Sequence, residues 1–368
     1  MATVAIIASV FAVIGYANHR ERVRSRVLRA APSPAIRAAA TRAEGLLRQA
    51  RVASNAGLAI QAEDVMNKAL AARPGDYEGE QMLSSIYLSQ HRFREAVVLA
   101  EKIRVARPKD PINYGVIGDG RLELGEYDAA FAAFDRMMQL RPGAAAYARV
   151  AYARELQGDL PGAVQSMTLA VDATGADDRE GLAWAHAQVG ELHLQQGHIA
   201  EAKQAFAAAS QAYRGHPFAV LGYAKALAAE GHTADALKLL ASLERQTPDV
   251  HARMGDLLER LGRRDEAAKQ FALAEAAWRS EAPEPKNLAK FLADHGKAAD
   301  AVVVAEQAAA ARQDIFTEDA LAWSYFKAGR VSDARTAMAR ALRTGTRDRD
   351  IRAHADAITA SAPQVAMR

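Results

Sequence analysis

Along most of the chain, apolar residues return at the three- and four-residue intervals of a helix face, in stretches separated by turns that carry glycine or proline. Pro74, Pro108 and Pro142 stand 34 residues apart. Each closes a stretch with one grammar: a helix, a Gly-containing turn, a second helix with a small residue at a fixed place, then the proline. Self-similarity at such a period predicts stacked helix pairs. The pattern places nine unit starts at residues 43, 77, 111, 144, 183, 217, 248, 282 and 315.

Three columns of the aligned units carry that register. The fifteenth position reads Gly57, His91, Gly125, Gly158, Gly197, Gly231, Gly262, Gly296 and Gly329, as a tight turn between two helices requires where φ becomes positive. The twentieth is Ala in every unit: Ala62, Ala96, Ala130, Ala163, Ala202, Ala236, Ala267, Ala301 and Ala334. The eighth is always small: Ala50, Ser84, Gly118, Ala151, Gly190, Ala224, Gly255, Ala289 and Ala322. Two helices cross closely only where no long side chain intervenes, and these columns put one small residue on each helix. A bulky apolar residue recurs at the twenty-fourth position (Met66, Phe134, Met167, Phe206, Leu240, Phe271, Met338) and fills the space they leave.

With Tyr114, Ile117, Gly118, Gly125, Tyr127, Ala130, Phe134 and Pro142, the third unit resembles the tetratricopeptide repeat (TPR) family, and the second follows through Leu83, Ser84, Tyr87, Phe93, Ala96 and Pro108. The resemblance covers about residues 43–348 and implies an all-α, right-handed superhelical solenoid. Spacing widens between the fourth and fifth units, around Ala173 to Glu180, and the sixth unit is short. Beyond the array, residues 349–368 hold a capping helix and tail, with Ile351, Ala355 and Ile358 at helical spacing to cover the last exposed face.

The N-terminus has a different character. Ala2 to Ala17 carries no charge; a helix of that length covers roughly 24 Å of a roughly 30 Å hydrocarbon core, and snorkelling arginines extend its reach. Residues 1–18 are therefore expected to be a membrane anchor. Arg20, Arg22, Arg24, Arg26 and Arg29 follow it, which orients the rest of the chain to the cytoplasm by the positive-inside rule. Gly15-Tyr16-Ala17 also makes a passable cleavage site, so a signal peptide and export to the periplasm is the alternative. Residues 19–42 read as a basic helix and a proline linker through Pro32 and Pro34.

Charge and composition narrow the chemistry. The net charge of +3 divides into +6 over residues 1–42 and −3 over the rest, so the repeats offer no basic face for nucleic acid. With no cysteine there is no disulfide framework, thiolate metal site or catalytic thiol. The ten histidines show no metal-ligand spacing: His186 and His193 fall where packing residues belong, and His198 opens a turn. Gly115, Gly118 and Gly120 follow no strand and lack phosphate-loop spacing. Repeats and cap leave no segment for a catalytic core, so neither cofactor nor metal is expected, and the chain is read as no enzyme.

In the TPR family the first helix of each unit lines the concave face. The resemblance implies partner contacts at Arg149, Tyr152, Glu155, Trp184, Gln188, Glu191 and Lys225, then Arg253, Asp256, Lys286, Asn287, Lys290, Phe316, Asp319 and Trp323. That is a mixed groove with aromatic anchors, suited to an extended peptide or a partner helix, with Trp323 as the expected hot spot. Lys286, Asn287 and Lys290 are only a fragment of the family's two-carboxylate clamp. The layout is similar to the lipopolysaccharide assembly protein B family, whose C-terminal cysteine metal module has no counterpart here. The expected function is a scaffold that recruits a protein partner to a bacterial inner membrane. The alternative is an exported scaffold for envelope assembly or polysaccharide secretion.

Overall fold

A computed structural model describes residues 33–53, 55–244, 246–281 and 285–361; the apolar and arginine-rich stretches of residues 1–32 lie outside them. Nineteen helices, among the described residues, form nine antiparallel pairs and a final single helix. Unit one is α1 (Pro34–Val52) and α2 (Ala56–Ala71), unit two α3 (Tyr77–Ser89) and α4 (Phe93–Ala106), unit three α5 (Pro111–Glu123) and α6 (Tyr127–Leu140). Units four and five are α7 (Ala144–Leu156) with α8 (Leu160–Ala173) and α9 (Arg179–Gln196) with α10 (Ile199–Ala212). Units six and seven are α11 (Pro217–Ala229) with α12 (Thr233–Ala241) and α13 (Pro248–Arg260) with α14 (Arg264–Glu281). Units eight and nine are α15 (Pro285–Asp294) with α16 (Ala298–Ala311) and α17 (Ile315–Lys327) with α18 (Val331–Ala341), and α19 (Arg349–Ala360) caps the array.

Local chemistry explains the helix starts. Asp110, Thr247 and Ser33 each accept a backbone N–H of the first turn, and each is followed by a proline whose missing N–H costs nothing there. The turn glycines at 125, 158, 197, 231, 262, 296 and 329 all hold positive φ, and His91 holds the same conformation at 61° without being glycine. The alanines of the twentieth position are at most 1% exposed. At the crossings a Cβ on Gly118 would run into the Phe134 ring, and one on Gly190 or Gly222 into Phe206. One aromatic thus wedges between its own first helix and the next unit's.

Two boundaries differ from the sequence pattern. Helix α1 begins at Pro34 rather than near 43, because the Ser33 cap and a first-turn proline open a helix where two prolines suggested a stiff linker. The turn of unit one is correspondingly short: Asn55 caps α2 and Gly57 lies inside that helix. The wide spacing before unit five extends its first helix, which starts at Arg179 and runs 18 residues.

The array also closes on itself. In a solenoid each unit touches only its neighbours, yet here the turns of units two to five meet the loops around unit nine. The Ile315 N–H donates to the Tyr127 hydroxyl at 2.8 Å, and Arg312 reaches Glu123 at 3.1 Å. Arg343 donates to the carbonyls of Gln313 and Gly125, and Arg349 to that of Leu194 at 3.4 Å. One apolar cluster accordingly joins units three to five with units eight, nine and the cap, while units five to seven are held by smaller separate clusters. Units six and seven form an arch between two ends of a closed body.

Candidate functional site

The first helices line the concave face, and closure divides that face into a sealed part and an open part. Arg149, Tyr152, Trp184, Gln188, Lys286 and Lys290 stand where the repeat pattern puts partner contacts, but none is more than 6% exposed. Arg149 on α7 forks onto Asp119 of α5, with Nε–Oδ1 at 2.9 Å and Nη2–Oδ2 at 2.6 Å, and donates its third nitrogen to the Ala145 carbonyl. Burial pushes Asp119 up to about 6 against the pull of that guanidinium. The fork is a structural tie between units three and four.

Charged groups line both sides of the seam, and among them Arg312 and Glu123 pair across it. Asp314 caps α17 and takes Arg312 at 3.3 Å and Lys286 at 3.8 Å. Burial works against its charge, but Lys286, Arg312 and Thr317 hold the Asp314 carboxyl below its ordinary value. Lys290 and His354 flank Asp319 at 3.3 and 2.7 Å. Glu155 has Gln195 at 2.6 Å as its hydrogen-bond donor; burial raises it to about 7, with Asp348 and Glu191 adding to the rise. Tyr152 is likewise raised by burial first and then by Glu123 and Glu155. At the N-terminal side Glu180 is held down to about 2: burial opposes the charge, and His216 and Arg51 outweigh it.

Trp323 is half-buried and already engaged. Its indole N–H donates to Asp294 at 2.7 Å, and its ring stacks on His354 of α19 at 4.0 Å and 13°. Phe316 is buried in the seam cluster and Asn287 is buried on α15.

The open part belongs to the arch. Arg253 and Asp256 on α13 keep side-chain exposures of 39% and 44%, and Lys225 on α11 pairs with Glu191 of α9 at 2.7 Å in a half-open position. Phe218 and Leu221, on α11 with Lys225, are half-buried and packed against the neighbouring apolar clusters. A second opening, a cleft of about 1400 Å³, separates α1 from the starts of α5, α7 and α9; Glu44, Arg48, Arg141 and Glu180 are among its walls. Among the described residues no group of three or more acidic or imidazole side chains is placed to hold a metal ion, and no helix is long and apolar enough to cross a membrane.

Sequence order gave no sign of Glu123, Tyr127, Arg312 or Asp348 as groove residues. Glu123 and Arg312 are 189 positions apart, and only superhelical closure brings them together.

Paired helices, small-residue crossings and a concave face of first helices define a repeat solenoid. The tetratricopeptide repeat family model matches residues 193–261, from the end of α9 through α13, and the helix pairs on either side repeat the same arrangement. Among solved structures the chain is similar to one from the APC/C hetero-tetramer Cut9–Hcn1, with a TM-score of 0.50 and 13% identity over 86% of this chain. It spans about half (54%) of that one's length. It is also similar to human IFIT1, solved as a dimer with m7Gppp-AAAA, at a TM-score of 0.53 and 15% identity over 78% of this chain and 68% of that one. Pseudomonas aeruginosa pilF follows at 0.46 and 17% identity, over 55% of this chain and 92% of its own. These likenesses are of fold. No curated protein matches the sequence.

Proposed function

We propose that this chain is a non-catalytic scaffold that holds a protein or peptide segment against the open concave face of units six and seven and brings it to a bacterial inner membrane. The observation that carries the binding site is selective exposure. Lys225, Arg253 and Asp256 stay open while Arg149, Tyr152, Trp184, Gln188, Lys286 and Lys290 are sealed by the chain itself. Half-buried, apolar Phe218 and Leu221 on α11, with Lys225 and its Glu191 partner, suit an amphipathic segment, with charge complementarity setting register. The −3 charge of residues 43–368 speaks for a protein over a polyphosphate ligand. Membrane recruitment rests on the uncharged run Ala2 to Ala17 and the five arginines after it.

Two measurements test this. A photo-crosslinking residue at Arg253 in the full chain is expected to capture a partner in cells, and one at Val98, 71% exposed on the outer helix α4, is not. Equal capture at both positions rejects the arch as the binding face. A C-terminal alkaline phosphatase fusion is expected to be inactive and a fluorescent-protein fusion bright; the reverse pair places the scaffold in the periplasm.

A further inference from the structure

We propose that the seam between units two to five and units eight, nine and the cap is a latch: the solenoid opens there, hinged on units six and seven, and opening uncovers Tyr152, Trp184 and Gln188 for a partner. The last clause rests on the scaffold reading above; the opening itself does not. A solenoid draws its stability from each unit and its neighbours, so a contact between unit three and unit nine can break while every unit stays folded. Its chemistry suits a contact that forms and releases. The hydrogen bonds across it run from Arg94, Arg312, Arg343 and Arg349 to carbonyls or a carboxylate, and from the Ile315 N–H to a hydroxyl. Buried ionic contacts give back in desolvation much of what they gain, so the cost of opening falls mainly on the apolar cluster that spans the seam.

Two further observations agree. The arch is the thinnest stretch: α12 has nine residues, the fewest of the described helices, and of units six and seven only Phe218 packs against the apolar cluster that spans the seam. Inside the sealed groove, Gln188 Nε2 and Gln195 Oε1 are buried with no hydrogen-bond partner, a cost that water or a partner's peptide group would remove. The segment now at the seam shows the chemistry of a displacing partner. Arg312 presents a cation to Glu123 under the Phe93 ring, and Ile315 presents an N–H to Tyr127. A partner would carry a cationic side chain beside an exposed backbone donor.

The glycine column supplies matched variants. Gly125, Gly158, Gly296 and Gly329 share the same positive φ, so an Ala at any of them carries the same backbone strain. A Cβ at Gly125 or Gly158 also strikes the backbone of Gln313 or Gly345 across the seam, whereas at Gly296 or Gly329 it meets open space. The chain has no cysteine, so Asp128→Cys with Thr336→Cys, both on exposed positions of α6 and α18, takes a pair of spin labels cleanly. In the full-length protein we expect one short inter-label distance in the unaltered background. Gly125→Ala/Gly158→Ala should lengthen it and raise amide exchange about tenfold or more over residues 144–156 and 183–195, with helix content unchanged. Gly296→Ala/Gly329→Ala should do neither. Tyr127→Phe/Arg312→Gln, which removes seam bonds without adding volume, should lengthen the distance to a smaller extent. If both seam pairs keep the short distance, or lengthen it only in step with lost helicity, the latch is wrong. No partner is needed, so this outcome is independent of crosslinking at Arg253.

Discussion

At the scale of single residues, a groove position and a packing position are distinguished by what the side chain already touches. Arg149 has its guanidinium on Asp119 and Ala145. Arg149→Ala should therefore destabilise the protein by roughly 3–5 kcal/mol, the cost of leaving a buried carboxylate without its partner. Replacing Arg149 and Asp119 together by Leu should recover most of that loss in thermal melts; a double variant as unstable as the single one would deny the pair. Trp323 follows the same logic. With its N–H on Asp294 and its face on His354, Trp323→Ala should lower the melting temperature, as for loss of a large half-buried aromatic, and leave capture through the arch unchanged. Reduced capture at an unaltered melting temperature would instead make Trp323 a contact residue.

At the scale of elements, the sequence was legible wherever one position had one local job. The all-Ala column and the small eighth position are read from order alone because a close crossing leaves no other choice, and Gly118 against Phe134 shows the crossing directly. Ala130→Leu should cost on the order of 1–3 kcal/mol by overpacking, and Ala129→Leu, on the half-exposed side of α6, much less; equal melting shifts would mean the register is off by one. The pattern misled at unit one, where proline is compatible with either a linker or a helix start and the Ser33 cap decides for the helix. The groove was legible only as a list of positions. Which of them stay open depends on the superhelix returning to itself, and residues such as Glu123 and Arg312 carry no mark of that meeting in one dimension.

At the scale of the whole molecule, closure partly buries acids that an open groove would leave in water, and this gives the fold a pH dependence with a definite sign. Glu155 on α7 faces Gln195 and Glu191 on α9 and Asp348 at the start of α19. Lys225, paired with Glu191, and Arg349, bound to the Leu194 carbonyl, are basic groups on the neighbouring elements. Burial raises the Glu155 carboxyl to about 7, from 4.5 in the unfolded chain. Its folded form thus holds a proton that the unfolded form has released, so the contribution of Glu155 to stability is full below about pH 4.5, declines between 4.5 and 7, and is level above. Asp348, raised by burial, acts in the same direction. His186 and His193, lowered by burial, act in the opposite direction near neutrality, so the melting curve of the unaltered protein mixes these effects. Glu155→Gln isolates one of them, since Gln keeps the shape of the protonated acid. The variant should match the parent near pH 4.5 and become more stable as pH rises, by about 3 kcal/mol at most at pH 8. Because Glu155 lies against the cap, the same substitution should slow amide exchange over residues 345–351 at pH 8 and leave residues 56–71 unchanged. A stability difference independent of pH would show that Glu155 is ionised in the folded state, in contact with water.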